Sequence, residues 1–273
     1  MAEVHGYILG QSDRAARRLA IQDAHFAAVS ERLLDQLALR PNDRVVELGC
    51  GAGSFSRRIL ARLGGGGVLV GVDASPGLLE QAEAALADSA PARFEPVQAN
   101  LADLGLWLDG ADVVVARTVL HHVPMAEFVL GRLRARVRPG TRVGFLEPDF
   151  RSQLGLLAYL EATGRPELAP FRIWATAINA LYQANRISPD VGASLARTLT
   201  TVAYRNVHAD WQECPSDAAT IENMLMFYDE VRDRLAELHI LTADEVAEQQ
   251  RRLRALAGPL PAVWGTYCVT AVS

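Results

Sequence analysis

The sequence of 273 residues has no lysine; all 27 of its Lys and Arg positions are arginine. That absence removes two chemistries at once. A Walker-type phosphate loop needs its lysine, and so does a Schiff base to pyridoxal phosphate or to a carbonyl substrate. Cysteine is scarce too: Cys50, Cys214 and Cys268 stand far apart, odd in number and without CxxC spacing. They suit a reducing compartment and offer neither a disulfide framework nor a thiolate metal site. Positive charge is not in excess. A formal net charge of −5 lacks the basic footprint of a protein that follows a phosphate backbone, so no nucleic-acid partner is expected. No apolar run approaches the roughly 20 residues of a membrane helix. The first residues, Met1 to Leu19, lack the basic-then-apolar layout of a secretory leader. The expectation is a cytoplasmic protein with no membrane insertion, for which a homodimer is compatible.

What is present is enough apolar material, 50% of the chain, for one substantial core with a cap or subdomain over it. Residues 12–39 carry Leu19, Phe26, Val29, Leu33, Leu34 and Leu37 at helical spacing. After the turn Arg40-Pro41-Asn42-Asp43, short apolar strands alternate with helices. Strands are expected at Val45–Leu48, Val68–Val72, Arg93–Gln98, Asp112–Ala116 and Arg142–Leu146. Helices are expected at Phe55–Leu63, Pro76–Ala87 and Phe128–Val137. Such alternation means parallel pairing with right-handed crossovers, hence a doubly wound α/β sheet. The alternation stops near Asp149, and the pattern is helical to about Thr201. Strands are expected again at Val202–Trp211 and Gly265–Val272, with helix between Ile221 and Leu256. The organisation predicted is an N-terminal helical segment (1–40), a ligand-binding core (41–150), a helical lid (151–201) and a C-terminal completion of the sheet (202–273). A peripheral helical bundle that only adds stability is the plainer reading of the third segment.

The sharpest local signal is Glu47-Leu-Gly49-Cys50-Gly51-Ala-Gly53 at a strand-to-helix junction. Glycines there let the backbone turn tightly and approach a ligand with no Cβ in the way. The dinucleotide spacing G-x-G-x-x-G fails, because Ser54 stands where its last glycine belongs. A ligand without phosphates is therefore preferred. The next expected strand runs into Asp73. That carboxylate either accepts hydrogen bonds from both hydroxyls of a ribose or caps the helix that begins at Ser75-Pro76. The glycine loop beside it favours the ribose.

VVELGCGAG, VGVDAS, VQANL, ADVVVARTVLHHV and RVRPGTRVGFLEPDF, in that order and spacing, resemble the successive motifs of class I S-adenosylmethionine (SAM)-dependent methyltransferases. The nearest flavour is the ubiquinone/menaquinone-biosynthesis type and its small-molecule relatives. The leader Tyr7-Ile-Leu-Gly10 with Arg18-Leu19 is similar as well, so the likeness covers roughly residues 5–150. It implies a Rossmann-like, mostly parallel seven-stranded sheet with N-terminal helices and a helical lid insertion. It also implies SAM as cofactor and S-adenosylhomocysteine as product. By resemblance, Glu47 and the loop Gly49, Cys50, Gly51, Gly53 hold the methionine part, Asp73 the ribose, Ala74 and Ser75 flank the adenine, and Leu101 is a further cofactor contact. Asn100 stands where the family often has an aspartate; its amide oxygen can accept the same hydrogen bond. Arg117 sits level with the sulfonium, placed to pair with the cofactor's carboxylate, and Tyr7 closes over the cofactor.

Methyl transfer is an in-line displacement, so the protein must chiefly align nucleophile, methyl and sulfur. A general base is needed only for a nucleophile that arrives protonated. His121 and His122 are the candidates, His122 nearer the cofactor and His121 as base; the bland alternative is that both are scaffold. Glu147, Asp149, Phe150, Trp174 and Tyr182 are candidate substrate contacts, with Phe171, His208 and Trp211 undecided. Aromatics at helical spacing are equally read as core. No metal is expected, since the metal-dependent catechol type places an acid where this chain has Arg117. The function expected is methylation of a small, hydrophobic or aromatic acceptor on oxygen, carbon or nitrogen, as in secondary or quinone-like metabolism. Two alternatives remain: a SAM-assisted cyclisation or rearrangement without methyl transfer, and a non-catalytic binding subunit.

Overall fold

Among the described residues two helices come first, α1 (Asp13–His25) and α2 (Ala27–Leu37), where the sequence predicts one. They meet at Phe26 (φ −92°, ψ 7°), and Ala38 ends α2 in a left-handed turn. The computed structural model describes residues 13–273 apart from 88–90, 186, 215, 257–259 and 263, with side chains from Leu19 onward. The alternating units follow: β1 (Arg44–Leu48), α3 (Ser54–Leu60), β2 (Val68–Asp73), α4 (Pro76–Leu86), β3 (Arg93–Gln98) and β4 (Val113–Arg117). A single 3-10 turn at Leu120–His122 leads to α5 (Ala126–Arg136) and β5 (Arg142–Pro148). Three helices then run in succession: α6 (Phe150–Ala162), α7 (Ala169–Ala184) and α8 (Val191–Thr201). The chain closes with β6 (Arg205–Cys214), α9 (Ala218–Glu237), α10 (Ala243–Arg254) and β7 (Trp264–Val272).

Among the described residues seven strands form one sheet in the order β3-β2-β1-β4-β5-β7-β6. All pairings are parallel up to β5; β7 runs antiparallel to both β5 and β6. This is the mostly parallel, Rossmann-like sheet expected. The strand order reverses between β1 and β4, and such a switch opens a crevice at the carboxyl ends of those strands.

The central strands are buried on both faces, which is why they read as continuous apolar runs rather than alternating ones. Val45, Leu69, Val113 and Val115 face one layer with Leu33, Leu34 and Leu37 of α2 and Phe55 and Ile59 of α3. Their neighbours Val46, Val70, Val114 and Ala116 face the other, with Leu130 and Leu133 of α5 and Leu195 and Leu199 of α8. Each such leucine contributes about 2 kcal/mol by leaving water. The first layer continues through α6, α7 and α9, so the post-150 helices share the core rather than hanging outside it.

Two further expectations shift. The helix predicted over 221–256 is two, because His239 takes a left-handed conformation (φ 56°) and Thr242 with Glu245 forms a capping box that starts α10. The strand expected from Val202 starts later, since Ala203 (φ 66°) is part of the turn out of α8.

Candidate functional site

The carboxyl ends of β1 and β2 are joined by backbone hydrogen bonds. Gly49 and Cys50 N–H both donate to Val72 O, at 2.7 and 3.1 Å. Gly49, Gly51 and Gly53 all have left-handed φ, of 67°, 55° and 83°, a region that costs a side chain dearly and glycine nothing. A Cβ on Gly49 would stand 2.5 Å from Val119 Cγ2. The loop after β1 thus lies flush against the turn after β4. Cys50 is buried beneath, its thiol pushed upward by burial first and by the charges of Glu47 and Asp73 second.

Asp73 ends β2 with both oxygens engaged. Oδ2 accepts from Gly51 N–H and Oδ1 from Ser75 N–H, each at 2.9 Å. Ser75, not Asp73, caps α4, through the bond from Leu78 N–H to its Oγ. Each Asp73 oxygen retains acceptor capacity. Ala74 is exposed on the same rim, and Leu101 half-buried. Asn100 is exposed, and its Oδ1 accepts Ala102 N–H at 2.9 Å in a local turn.

Glu47 is 2% exposed beneath the loop and accepts a 2.6 Å hydrogen bond from Ser56 Oγ. Burial raises its carboxyl to about 7, against the opposing pulls of Ser56 and Arg117. Arg117 does not stand open for a ligand carboxylate. Its Nη1 donates to Asp23 Oδ1 on α1 at 2.5 Å and to Ser30 Oγ on α2 at 3.1 Å, and its guanidinium lies 4.7 Å over the Phe55 ring. Burial pulls Arg117 below the usual arginine range, and Asp23 opposes that. Asp23 also takes Arg58 at 2.8 Å, and Arg58 in turn reaches Glu31 at 2.8 Å. Burial alone would raise Asp23, but the two arginines outweigh it and hold the carboxyl low.

Beyond Arg117 the turn Val119–His122 is held by one carboxylate. Glu147, wholly buried on β5, accepts Val119 and Leu120 N–H at 2.8 Å through Oε1. Its Oε2 lies 2.7 Å from His121 Nδ1. Glu147, predicted as a substrate contact, is therefore an internal brace. It satisfies the start of the turn and orients the imidazole. Asp149, predicted in the same role, is 1% exposed and caps α6, accepting Arg151 and Ser152 N–H and the Ser152 hydroxyl. Its oxygens are turned to the helix because a carboxylate is the preferred partner for the first-turn N–H groups.

The predicted aromatics do come together. His121 stacks on Tyr182 at 5.7 Å and meets Phe150 edge-on at 6.1 Å, while His122 lies 3.9 Å from His121 and 5.7 Å from Tyr182. Phe150 also meets Tyr182 (5.5 Å), Trp174 (6.2 Å) and Trp264 (5.4 Å). Phe171 is buried in the same core layer. His208 and Trp211 fall elsewhere, on the outer strand β6: His208 pairs with Asp210 at 2.9 Å, and Trp211 packs on Tyr267 at 5.2 Å. Tyr7 lies outside the described residues. Asp23, His25 and Trp264 are the neighbours that sequence reasoning missed; a histidine on the apolar face of α1 beside Phe26 was the one available sign. Among the described residues, no group of three His, Cys, Asp or Glu is spaced to hold a metal, and no helix is long and apolar enough to cross a membrane.

Comparison with known proteins follows the same outline. Residues 46–143 match the family model described as a methyltransferase domain. A trans-aconitate 2-methyltransferase of Rhizobium leguminosarum bv. trifolii is 30% identical over 192 residues, 69% of either chain. The nocamycin O-methyltransferase of Saccharothrix syringae is 29% identical over 265 residues, 90% of either chain. Among solved structures, a cyclopropane synthase from Mycobacterium tuberculosis shares the fold with a TM-score of 0.58 at 13% identity, over 90% of this chain and 84% of that one.

Proposed function

This chain belongs to the class I SAM-dependent methyltransferases, and from that membership we propose that it methylates a small, flat, largely apolar acceptor with His121 as general base. The observation that carries the reading is the contact of Gly49 with Val119. It sets the loop we assign to the cofactor directly beside the turn that carries His121, whose other side is a wall of Phe150 and Tyr182.

The residues fit the cofactor. Three left-handed glycines line the loop, Asp73 stands on the next strand end with acceptor capacity on both oxygens, and Glu47 lies buried beneath. A carboxyl held near 7 by burial is the group that a cationic, phosphate-free ligand stabilises in its ionised form. We assign Glu47 and Gly49–Gly53 to the methionine part and Asp73 to the ribose. Ala74, Ser75, Asn100 and Leu101 border the adenine. Bound SAM supplies a methyl carbon activated by its positive sulfur.

The chain's own residues do the rest. Glu147 takes the Nδ1 proton of His121 in a hydrogen bond, which leaves Nε2 as the basic nitrogen. His122 packs beside it and fixes the ring from the second side. A hydroxyl or acidic carbon of the acceptor then loses its proton to Nε2 as the methyl is taken up, a step that base catalysis accelerates by about 10²–10⁴-fold. The helices α6 and α7 act as the lid, keeping water from the aligned pair. Arg117, tied to Asp23, anchors α1 over this region rather than binding the cofactor directly.

Calorimetric titration with SAM, with NAD as control, tests the first half: micromolar binding of SAM alone is expected, and preference for NAD would overturn it. Incubation with candidate acceptors tests the second. Products should gain one methyl group and release S-adenosylhomocysteine; an isomerised product with SAM unconsumed would replace transfer by rearrangement.

A further inference from the structure

α1 ends on His25, buried against Phe26. Its Nδ1 lies 3.0 Å from Thr220 Oγ1 on α9. The same hydroxyl lies 3.2 Å from Asp217 Oδ1. A hydroxyl has one proton to give, and the carboxylate is the stronger acceptor, because charge-assisted hydrogen bonds outcompete neutral ones. Thr220 therefore donates to Asp217 and accepts His25 Nδ1–H. The tautomer so fixed carries its lone pair on Nε2. Nε2 is buried and has no hydrogen-bond partner among the described residues. Native interiors seldom leave such an atom without a protein, water or ligand partner.

The donors that would complement it are next door. The Trp264 ring lies 6.2 Å from His25, and Trp174 lies 4.9 Å from Trp264. Both indole Nε1–H groups are buried and lack an acceptor among the described residues. Phe150 touches both tryptophans and also His121, so one aromatic wall runs from His25 to the Glu147-oriented imidazole. At one end is the base; at the other are one unsatisfied acceptor and two unsatisfied donors.

We propose that His25, Trp174 and Trp264 recognise the far end of the acceptor, and that this end carries a hydroxyl and a carbonyl along one edge of a conjugated ring. The hydroxyl donates to His25 Nε2, and the carbonyl accepts from the indoles. His25 serves as a receptor here rather than as a charge. Burial holds it at about 4, against the pull of Asp217, so the ring is neutral at pH 7 and its lone pair is available. Specificity follows from the same arithmetic. A site whose buried polar groups need partners rejects an analogue that lacks them far more strongly than an apolar pocket rejects a missing methyl. The proposal rests on the aromatic wall being the acceptor side of the methyltransferase.

The test is titration, followed by ligand NMR, of protein saturated with S-adenosylhomocysteine, using 3′-hydroxyacetophenone, acetophenone and 3-ethylphenol as probes. The wild type should bind the first at least tenfold more tightly than either of the others. His25→Phe should abolish the preference over acetophenone, and Trp174→Phe should reduce the preference over 3-ethylphenol. Both variants should bind S-adenosylhomocysteine as the wild type does, which shows that they are folded. Equal binding of the three probes, binding of none, or a preference that survives both substitutions would overturn the proposal. Failure of the wild type to bind S-adenosylhomocysteine would instead remove the cofactor site, and the acceptor site with it.

Discussion

Arg117 Nη1 lies 2.5 Å from Asp23 Oδ1, so the residue that ends β4 is tied to the N-terminal helix by a largely buried ion pair. The arrangement makes α1 part of the site. Asp23→Ala leaves the buried guanidinium with Ser30 Oγ as its hydrogen-bond partner among the described residues. Removing one member of a buried pair costs about 3 kcal/mol. Urea unfolding should show a midpoint lowered accordingly. SAM affinity should fall as well, because α1 loses its anchor; an unchanged midpoint would show that the pair is solvated and contributes little.

Glu47 gives a pH dependence with a definite sign. Its folded carboxyl is raised to about 7 from 4.5, so the fold prefers the protonated form. The stabilisation is complete below pH 4.5 and is lost as pH rises through 7. At about 1.4 kcal/mol per pKa unit, the loss amounts to roughly 3 kcal/mol. Glu47→Gln should flatten the stability profile over that window and be the more stable protein at pH 8 without cofactor. For the wild type, SAM affinity should rise with pH up to about 7 and level off above it, as calorimetry across pH will read. A flat affinity profile would separate Glu47 from the cofactor.

Glu147→Gln keeps an acceptor for the turn N–H groups but no longer holds a negative charge against His121 Nδ1. Turnover should fall by about 100-fold while SAM affinity stays within a few-fold. Were KM for the acceptor alone to change, the carboxylate would be a binding group after all.

Asp149→Ala separates a cap from a substrate contact. Loss of the α6 cap should cost about 1 kcal/mol of stability, read by thermal unfolding. Neither kcat nor KM should change at temperatures where the protein remains folded. A raised acceptor KM would restore the role expected from its place after β5.

The architecture was legible because its signals are local. Apolar runs, glycines at a strand end and Asp73 about twenty residues on need no knowledge of distant partners. The break between α9 and α10 was legible in principle too, since Thr242-Ala-Asp-Glu245 spells a capping box, but continuous helical periodicity masked it. The functions of Glu147, Asp149 and Arg117 were not legible. Each is a charged side chain at the right edge of the sheet, and sequence position says only which edge. Whether an acid serves a ligand, a helix or a histidine is decided by which N–H groups lie within 3 Å of it. For Arg117 the decisive partner is 94 residues away in sequence. His25 escaped notice for the same reason: its partner Thr220 is 195 positions distant.

The absence of space between Gly49 and Val119 has a last consequence. The loop that we propose grips the methyl donor and the turn that we propose activates the receiver are built on adjoining strands and touch without a joint. Alignment of the two is thus inherited from the sheet, while the aromatic lining comes from α6, α7 and β7. Acceptor choice can consequently be rewritten by exchanging α6 and α7 between relatives, with the geometry of transfer carried over intact.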